Sequence, residues 1–264
     1  MKLHFDYEMT LTFDFPIREH FFSLNIEPIT DTSQRLYAYQ CEILPCDYYC
    51  RQLDWCGNFN YTGSSINEHD YFGFVVSGTV FTSDALVKAS DSILIYKYPS
   101  RYSDISSQMV EFINNMTILS NSKINDLEKA DIIMDNLYQY LTYQPLSTSI
   151  YTTASESFDL KVGVCQDYSH IFISMLRYLN IPARYVSGLM YENGTVCYGA
   201  THAWVEVYYN GYWFGYDPTN NCKINQGYIA FVKGRDYQDC SVDRGVFKGN
   251  AIQQQYINIS IKES

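Results

Sequence analysis

Three residues in the second half of the chain have types and spacing that suit nucleophilic catalysis: Cys165, His202 and Asp217. Cys165 opens a run of apolar residues with helical spacing. Because the free amides and the dipole at a helix start favour negative charge, a thiolate placed there is a competent nucleophile. The same amides could hold the oxyanion of an acyl intermediate. Position alone supports this role and that of a small buried residue equally.

His202 and Asp217 are expected on the two strands of one hairpin. His202 begins one strand-like run, Asp217 ends the next, and Asn210-Gly211 between the runs is typical of a tight turn. Pairing about that turn brings the two side chains near each other, within a residue or two of register. Singly, each has an ordinary explanation: a histidine satisfied by a carbonyl group and a turn aspartate before proline. With the cysteine, their order matches Cys–His–Asp chemistry, in which the carboxylate orients the imidazole.

The surrounding pattern predicts an α+β protein with two domains. Residues 1–100 read as an N-terminal antiparallel β-sandwich-like domain, and residues 101–264 as helices packed on an antiparallel sheet. The expected strands are 3–13, 34–44, 71–82, 92–98, 183–191, 202–209, 212–217 and 255–261. The expected helices are 106–119, 126–142, 154–159 and one from about Cys165 to Leu179, with capping boxes at Asn125/Glu128 and Thr153/Glu156.

Composition excludes some classes of function. The formal net charge of −11 disfavours binding to nucleic acid or to an anionic membrane. The first residues show no signal peptide, and no apolar run approaches the length of a membrane span, so we expect a cytoplasmic protein. A chain trimmed of its leader would look the same.

Four of the eight cysteines, Cys41, Cys46, Cys50 and Cys56, lie within sixteen residues and invite a zinc hypothesis. Their gaps contain no C-x2-C pair, and the nearest histidines lie outside the cluster. We therefore expect no metal and no cofactor, and keep a zinc-binding N-terminal domain as the weakest of three hypotheses.

The second half of the chain resembles the transglutaminase-like superfamily, in its bacterial cysteine-peptidase-like branch. The similar segments are GVCQDY (163–168), LR (176–177), IPARYVSG (181–188), HAWVEV (202–207), DPTN (217–220) and GRDY (234–237). They cover residues from about 130 to 250. The first hundred residues resemble, more weakly, the β-domain that precedes this core, through Gln34-Arg35 and Gly57-Asn58.

The resemblance implies a papain-like core with Cys165 as nucleophile, His202 as general base and acid, and Asp217 as the orienting group. It also suggests that the GRDY segment braces the site, with Arg235 or Asp236 in a buried ion pair. The sequence departs from the family at Tyr168, where Phe is common, and at Tyr198-Gly199-Ala200-Thr201, a change that could alter the substrate pocket.

The leading hypothesis is a cysteine peptidase or amidase that forms a thioester with a peptide or protein substrate and releases it to water. Transfer to an amine, the transglutaminase reaction, is the alternative. We favour hydrolysis, since no EF-hand loop or further β-domain suggests an animal-type transglutaminase. A second hypothesis is a catalytically silent scaffold that binds peptides, because a tyrosine-rich surface suits interfaces. The oligomeric state is open.

Overall fold

The computed structural model is an α+β protein with two main antiparallel sheets and a helical layer, and it describes residues 1–89, 91–191 and 201–264. The predicted fold class is confirmed. In the described residues the strands are β1 (Lys2–Leu24), β2 (Gln34–Leu44), β3 (Tyr48–Leu53), β4 (Phe59–Ser65), β5 (His69–Thr82), β6 (Val87–Lys88), β7 (Thr142–Tyr143), β8 (Val162–Gly163), β9 (Ala183–Met190), β10 (His202–Tyr209), β11 (Tyr212–Asp217), β12 (Cys222–Lys223), β13 (Tyr228–Gly234), β14 (Asp243–Lys248) and β15 (Gln253–Glu263). The helices are α1 (Ser107–Asn115), α2 (Asp126–Tyr140), α3 (Ala154–Leu160), α4 (Cys165–Tyr178) and α5 (Tyr237–Cys240).

The first sheet is built around the long strand β1, which changes partners along its length. Its first half pairs with β5 and β15, and its second half with β4 and β14. Glu19 in the second half has a positive φ of 48°. Because β1 alternates buried and exposed side chains, one face of the sheet packs on a core and the other faces solvent.

The C-terminal strands complete this first sheet. β15 pairs with β1 in register from Leu3 opposite Glu263 to Phe13 opposite Gln253. The sequence predicts that everything after residue 100 belongs to the catalytic core, but β14 and β15 pair with β1 of the first sheet. The physical reason is that alternation along a strand predicts its buried face but not its neighbour, which is chosen by long-range pairing.

The second sheet has the order β12-β11-β10-β9-β13, with β6 paired to β11, and helix α4 packs on one face. Ala203, Val205 and Val207 of β10 point into the core shared with α4, as the sequence predicts. Asn210 and Gly211 form the predicted turn between β10 and β11, both with positive φ.

Two side-chain amides of the first domain bind the backbone of β13. Gln34 donates to the carbonyl of Ala230 and accepts from its amide, both at 2.8 Å. Asn58 does the same with Lys233, both at 2.9 Å. Each amide therefore substitutes for a missing neighbouring strand. These are two of the residues through which the N-terminal half resembles the family.

Both predicted capping boxes are present, at Asn125/Glu128 and at Thr153/Glu156. One predicted strand is wrong: residues 92–98 belong mostly to a 3-10 helix, Asp91–Lys97. A short apolar run fits strand or helix equally, and here Tyr96 is buried and its carbonyl accepts a hydrogen bond from Arg177 at 3.0 Å. The predicted helix 106–119 ends at Asn115, and a 3-10 turn follows at Thr117–Ser120.

Helices long and apolar enough to cross a lipid bilayer are absent from the described parts of the chain.

Candidate active site

Cys165 is the first residue of α4, and the chain before it is held in place on both sides. Strand β8 pairs with β7, and the Gly163 carbonyl accepts a hydrogen bond from the amide of Gln144 at 3.0 Å. The Asp167 carboxylate accepts from the amide of Val164 at 2.8 Å and from the hydroxyl of Thr148 at 2.7 Å. A Cβ on Gly163 would lie 2.6 Å from the Asp167 Cβ, so this close approach requires glycine. The thiol therefore sits on a fixed helix start, where the amide of Asp167 donates to the Val164 carbonyl at 2.9 Å and the amides of Cys165 and Gln166 come too early for an acceptor within the helix.

His202 and Asp217 meet as the hairpin predicts. The imidazole Nε2 lies 2.7 Å from Asp217 Oδ2. His202 is 13% exposed at its side chain and Asp217 is fully buried. Because Nε2 faces the carboxylate, Nδ1 is the ring nitrogen left to face the thiol.

The Asp217 carboxylate is held by several donors besides His202. It accepts from the backbone amides of Thr219 and Asn220 at 3.0 and 3.2 Å, and from the Asn220 side chain and the Tyr228 hydroxyl, both at 2.8 Å. Burial would raise its pKa, but the hydrogen bonds, first that of His202, hold the pKa below its ordinary value. Asp217 therefore stays ionised and fixed in orientation.

Cys165 and His202 line the same cleft, and Cys165 lies close enough to contribute to the pKa of the imidazole. Burial would lower the pKa of the imidazole, but the hydrogen bond to Asp217, the nearby Cys165 and the negative charges of both outweigh it and raise the pKa to about 10. The imidazolium form is thus favoured between a carboxylate and a thiol. The three predicted residues lie together as a contact row: His202 is bonded to Asp217 and lines the same cleft as Cys165.

Three residues of this neighbourhood were missed by sequence reasoning: Tyr143, Asn220 and Tyr228. Tyr143 lies on β7 and lines the cleft with Cys165, and burial, followed by the charge of Cys165, raises its pKa. Asn220 was visible in the motif that follows Asp217. Tyr143 and Tyr228 carry no local signal, because separate strands bring them to the site.

The predicted brace is present but differs in its pairing. Arg235 pairs with Asp239 through bonds of 2.8 and 3.0 Å, and its side chain is 40% exposed, so this ion pair is not buried. Asp236 is buried and accepts the backbone amides of Tyr102 and Gln238 at 3.2 and 2.8 Å. It acts as a cap for α5 and an anchor for a neighbouring loop.

Two buried polar residues of α4 tie this helix to the brace. His170 accepts from the amide of Tyr237 at 3.1 Å, and burial lowers its pKa to about 4. Arg177 is almost fully buried and donates to the carbonyls of Ala183 and Arg235 at 2.9 and 2.7 Å. They hold the α4 helix against β9 and the segment after β13.

The remaining expectations concern metal binding and two departures from the family. Groups of three or more side chains that could hold a metal ion are absent from the described residues, so the zinc hypothesis gains no support. Tyr168 is buried in the core beneath the site. Residues 198–200 lie outside the described residues.

His202 lines two cavities. A cleft of about 600 Å³ is lined by Cys165, Gln166, His202 and Tyr143 from the core and by Tyr7, Gln255 and three isoleucines of β15 from the first sheet. A second space, of about 530 Å³, is lined by Tyr143, His202, Tyr168 and Asn220. His202 therefore lines both cavities, and the first domain forms one wall of the larger.

Residues 116–218 match the family model of the transglutaminase-like superfamily, a span that includes Cys165, His202 and Asp217. The chain carries a transglutaminase-like core. An uncharacterized protein of Mycobacterium leprae is 26% identical over 259 residues, which cover 90% of each chain. An uncharacterized protein of Mycobacterium tuberculosis is 33% identical over 140 residues, which cover 49% of this chain and 44% of that one.

The transglutaminase-like core also has a counterpart among solved structures. A crystal structure from Cytophaga hutchinsonii, provisionally described as a cysteine protease, superposes with a TM-score of 0.79 at 23% identity and covers all of this chain and 91% of its own. At this identity the likeness establishes a shared fold over the full length, including the β-rich first domain.

Proposed function

We propose that this protein is a cysteine hydrolase that cleaves an amide bond of a peptide or protein through a thioester intermediate. The observation that carries the proposal is the contact row of Cys165, His202 and Asp217 beside an open cleft. The transglutaminase-like core of the chain, and its likeness in fold to the Cytophaga hutchinsonii structure described as a cysteine protease, support the same class of chemistry.

The residues have distinct roles in the proposed reaction. The Cys165 thiolate attacks the carbonyl carbon, a C–S bond forms, and the oxyanion is stabilised by first-turn amides of α4. The His202 imidazolium gives its proton to the leaving nitrogen as the C–N bond breaks, which leaves a thioester and a neutral imidazole. Neutral His202 then takes a proton from water, the hydroxyl adds to the thioester, and the C–S bond breaks to regenerate the thiolate and imidazolium. Asp217 stabilises the charged ring throughout.

Transfer of the acyl group to an amine is the second candidate. The smaller cavity lined by His202 supports it, because an acceptor amine could approach through that cavity while the acyl group stays in the larger cleft. The chemistry up to the thioester is the same, and a lysine-like amine replaces water in the last step.

A silent scaffold is the third candidate, and the aligned triad argues against it. A scaffold has no need for a buried carboxylate with five hydrogen bonds aimed at a histidine beside a thiol. Exposed aromatic residues, among them Tyr37, Tyr48 and Trp55, are compatible with partner binding by either kind of protein.

Mass spectrometry of peptide mixtures incubated with the protein, with and without an added primary amine, distinguishes these functions. We expect cleaved peptides in the absence of amine, and their loss in Cys165→Ala but not in the matched Cys50→Ala, which removes an exposed cysteine. Glutamine-linked amine adducts without cleavage would instead identify a transglutaminase. If the wild type forms neither cleaved peptides nor amine adducts, the proposed enzymatic function is contradicted.

A further inference from the structure

The cleft beside Cys165 carries one carboxylate that the proposed chemistry does not use. Asp243 begins β14 and lines the cleft opposite the core, together with Tyr7, Tyr237 and Gln255. Among the described residues that line this cleft, the other side chain able to carry charge near neutral pH, apart from the thiol, is His202. The remaining wall is apolar or neutral, and β15 supplies Ile257, Ile259 and Ile261 to it.

Among the described residues, Asp243 forms no ion pair. Its side chain accepts a hydrogen bond of 3.3 Å from the Gln255 amide. Burial raises its pKa, and the same carboxylate helps to raise the pKa of Tyr7 and of Tyr237. A partly buried carboxylate without a cation is costly, and a positively charged ligand group would offset that cost.

Two arginines, Arg101 and Arg244, share a neighbouring cavity with Asp243 but do not line the cleft of Cys165. The neighbouring cavity has a volume of about 710 Å³. Arg244 donates to the carbonyl of Tyr237 at 3.5 Å. The two cavities share Asp243, Tyr237, Gln255 and Ile150, so Asp243 lies at the boundary between the cleft and this adjoining cavity.

We propose that Asp243 determines specificity in this cleft by binding a cationic group of the substrate, the ammonium of a lysine or the guanidinium of an arginine. The inference rests on the proposed function, because it assigns a substrate class to the same cleft. The apolar β15 wall suits the methylene stem of such a side chain, and Asp243 lies at the Gln255 end of that wall, where it can receive the charge. Tyr7 and Tyr237 line the same cleft as Asp243.

Paired irreversible probes test this inference. Each pair consists of two short peptide vinyl sulfones that differ at one position, which holds lysine in one member and uncharged norleucine of similar length in the other. Three such pairs place this position at each of the three residues before the vinyl sulfone. The thiolate adds to the vinyl carbon and forms a thioether, so intact-protein mass spectrometry reports the rate of labelling at Cys165.

We expect the lysine member of at least one pair to label the wild type at least about tenfold faster than the norleucine member, because losing a buried charge contact usually weakens binding by at least this factor. Asp243→Asn keeps the shape and should bring the ratio of the lysine and norleucine labelling rates close to one, and circular dichroism shows whether the variant is folded. The matched exposed acid Asp70→Asn should keep the preference. Equal rates for both members of every pair in the wild type, or an unchanged preference in Asp243→Asn, would overturn the inference while leaving the thioester chemistry intact. No labelling of Cys165 by any probe would instead overturn the proposed function and the inference with it.

Discussion

Replacing Asp217 with asparagine tests how much the buried carboxylate contributes to the site. The variant keeps the size and an oxygen that can accept from His202, but it loses the charge that holds the ring as imidazolium. Each pKa unit is about 1.4 kcal/mol. The rise in the pKa of His202 from 6.5 to about 10 therefore corresponds to roughly 5 kcal/mol in favour of the charged ring, shared between Asp217 and Cys165.

The share lost in Asp217→Asn follows from the hydrogen bond itself. A hydrogen bond to a charged group contributes about 1.5–3 kcal/mol. We therefore expect the pKa of His202 to fall by about one to two and the rate of peptide cleavage to drop by about ten- to a hundredfold. The imidazolium is lost as the pH rises through its pKa, so the alkaline fall in activity should move from near pH 10 to lower pH.

The assay combines an NMR titration of the His202 ring with the pH profile of cleavage. Asn220→Ala is the matched control, since it removes the 2.8 Å bond of the Asn220 side chain while Asp217 keeps its charge, and it should lower the His202 pKa much less. A His202 pKa that is the same in Asp217→Asn and the wild type would refute the role given to the carboxylate.

Three further predictions concern other contacts. Tyr228→Phe removes a 2.8 Å hydrogen bond to Asp217, and the loss of about 1 kcal/mol of stabilisation should slow cleavage several-fold. Circular dichroism should show unchanged secondary structure, and an unchanged cleavage rate would contradict this prediction. Ile259→Ala on β15 should lower the free energy of unfolding in urea by about 2–4 kcal/mol, and exposed Gln254→Ala should change it by less than about 0.5 kcal/mol. The raised pKa of His202 stabilises the fold fully below its unfolded value of 6.5, and this stability is lost as the pH rises through about 10. The melting temperature should therefore fall more between pH 6.5 and 10 in the wild type than in His202→Gln, and parallel curves would contradict the linkage.

The sequence predicts well the features that depend on neighbours in the chain. Capping boxes at Asn125 and Thr153, the Asn210-Gly211 turn and the apolar face of α4 are all local patterns, and each is present. The meeting of His202 and Asp217 follows from that turn, because a tight hairpin fixes the register of its two strands.

Features set by distant contacts are not visible in the same way. The alternation in 255–261 predicts a strand, but its place beside β1 depends on residues more than 200 positions away. The run at 91–97 becomes a 3-10 helix whose Tyr96 carbonyl binds the buried Arg177. Asp243 reads as an ordinary charged residue until β14 and β15 bring it to the cleft wall.

The most direct test of the central claim is the site of reaction with a peptide electrophile. Wild-type protein is treated near pH 7 with a limiting amount of a peptide vinyl sulfone, digested, and searched by mass spectrometry for modified cysteines. We expect modification at Cys165 well ahead of exposed Cys50, and its loss in His202→Gln, which removes the imidazolium partner of the thiol. Modification of Cys50 as fast as Cys165, or an equal rate at Cys165 without His202, would contradict the assignment of Cys165 as an activated nucleophile.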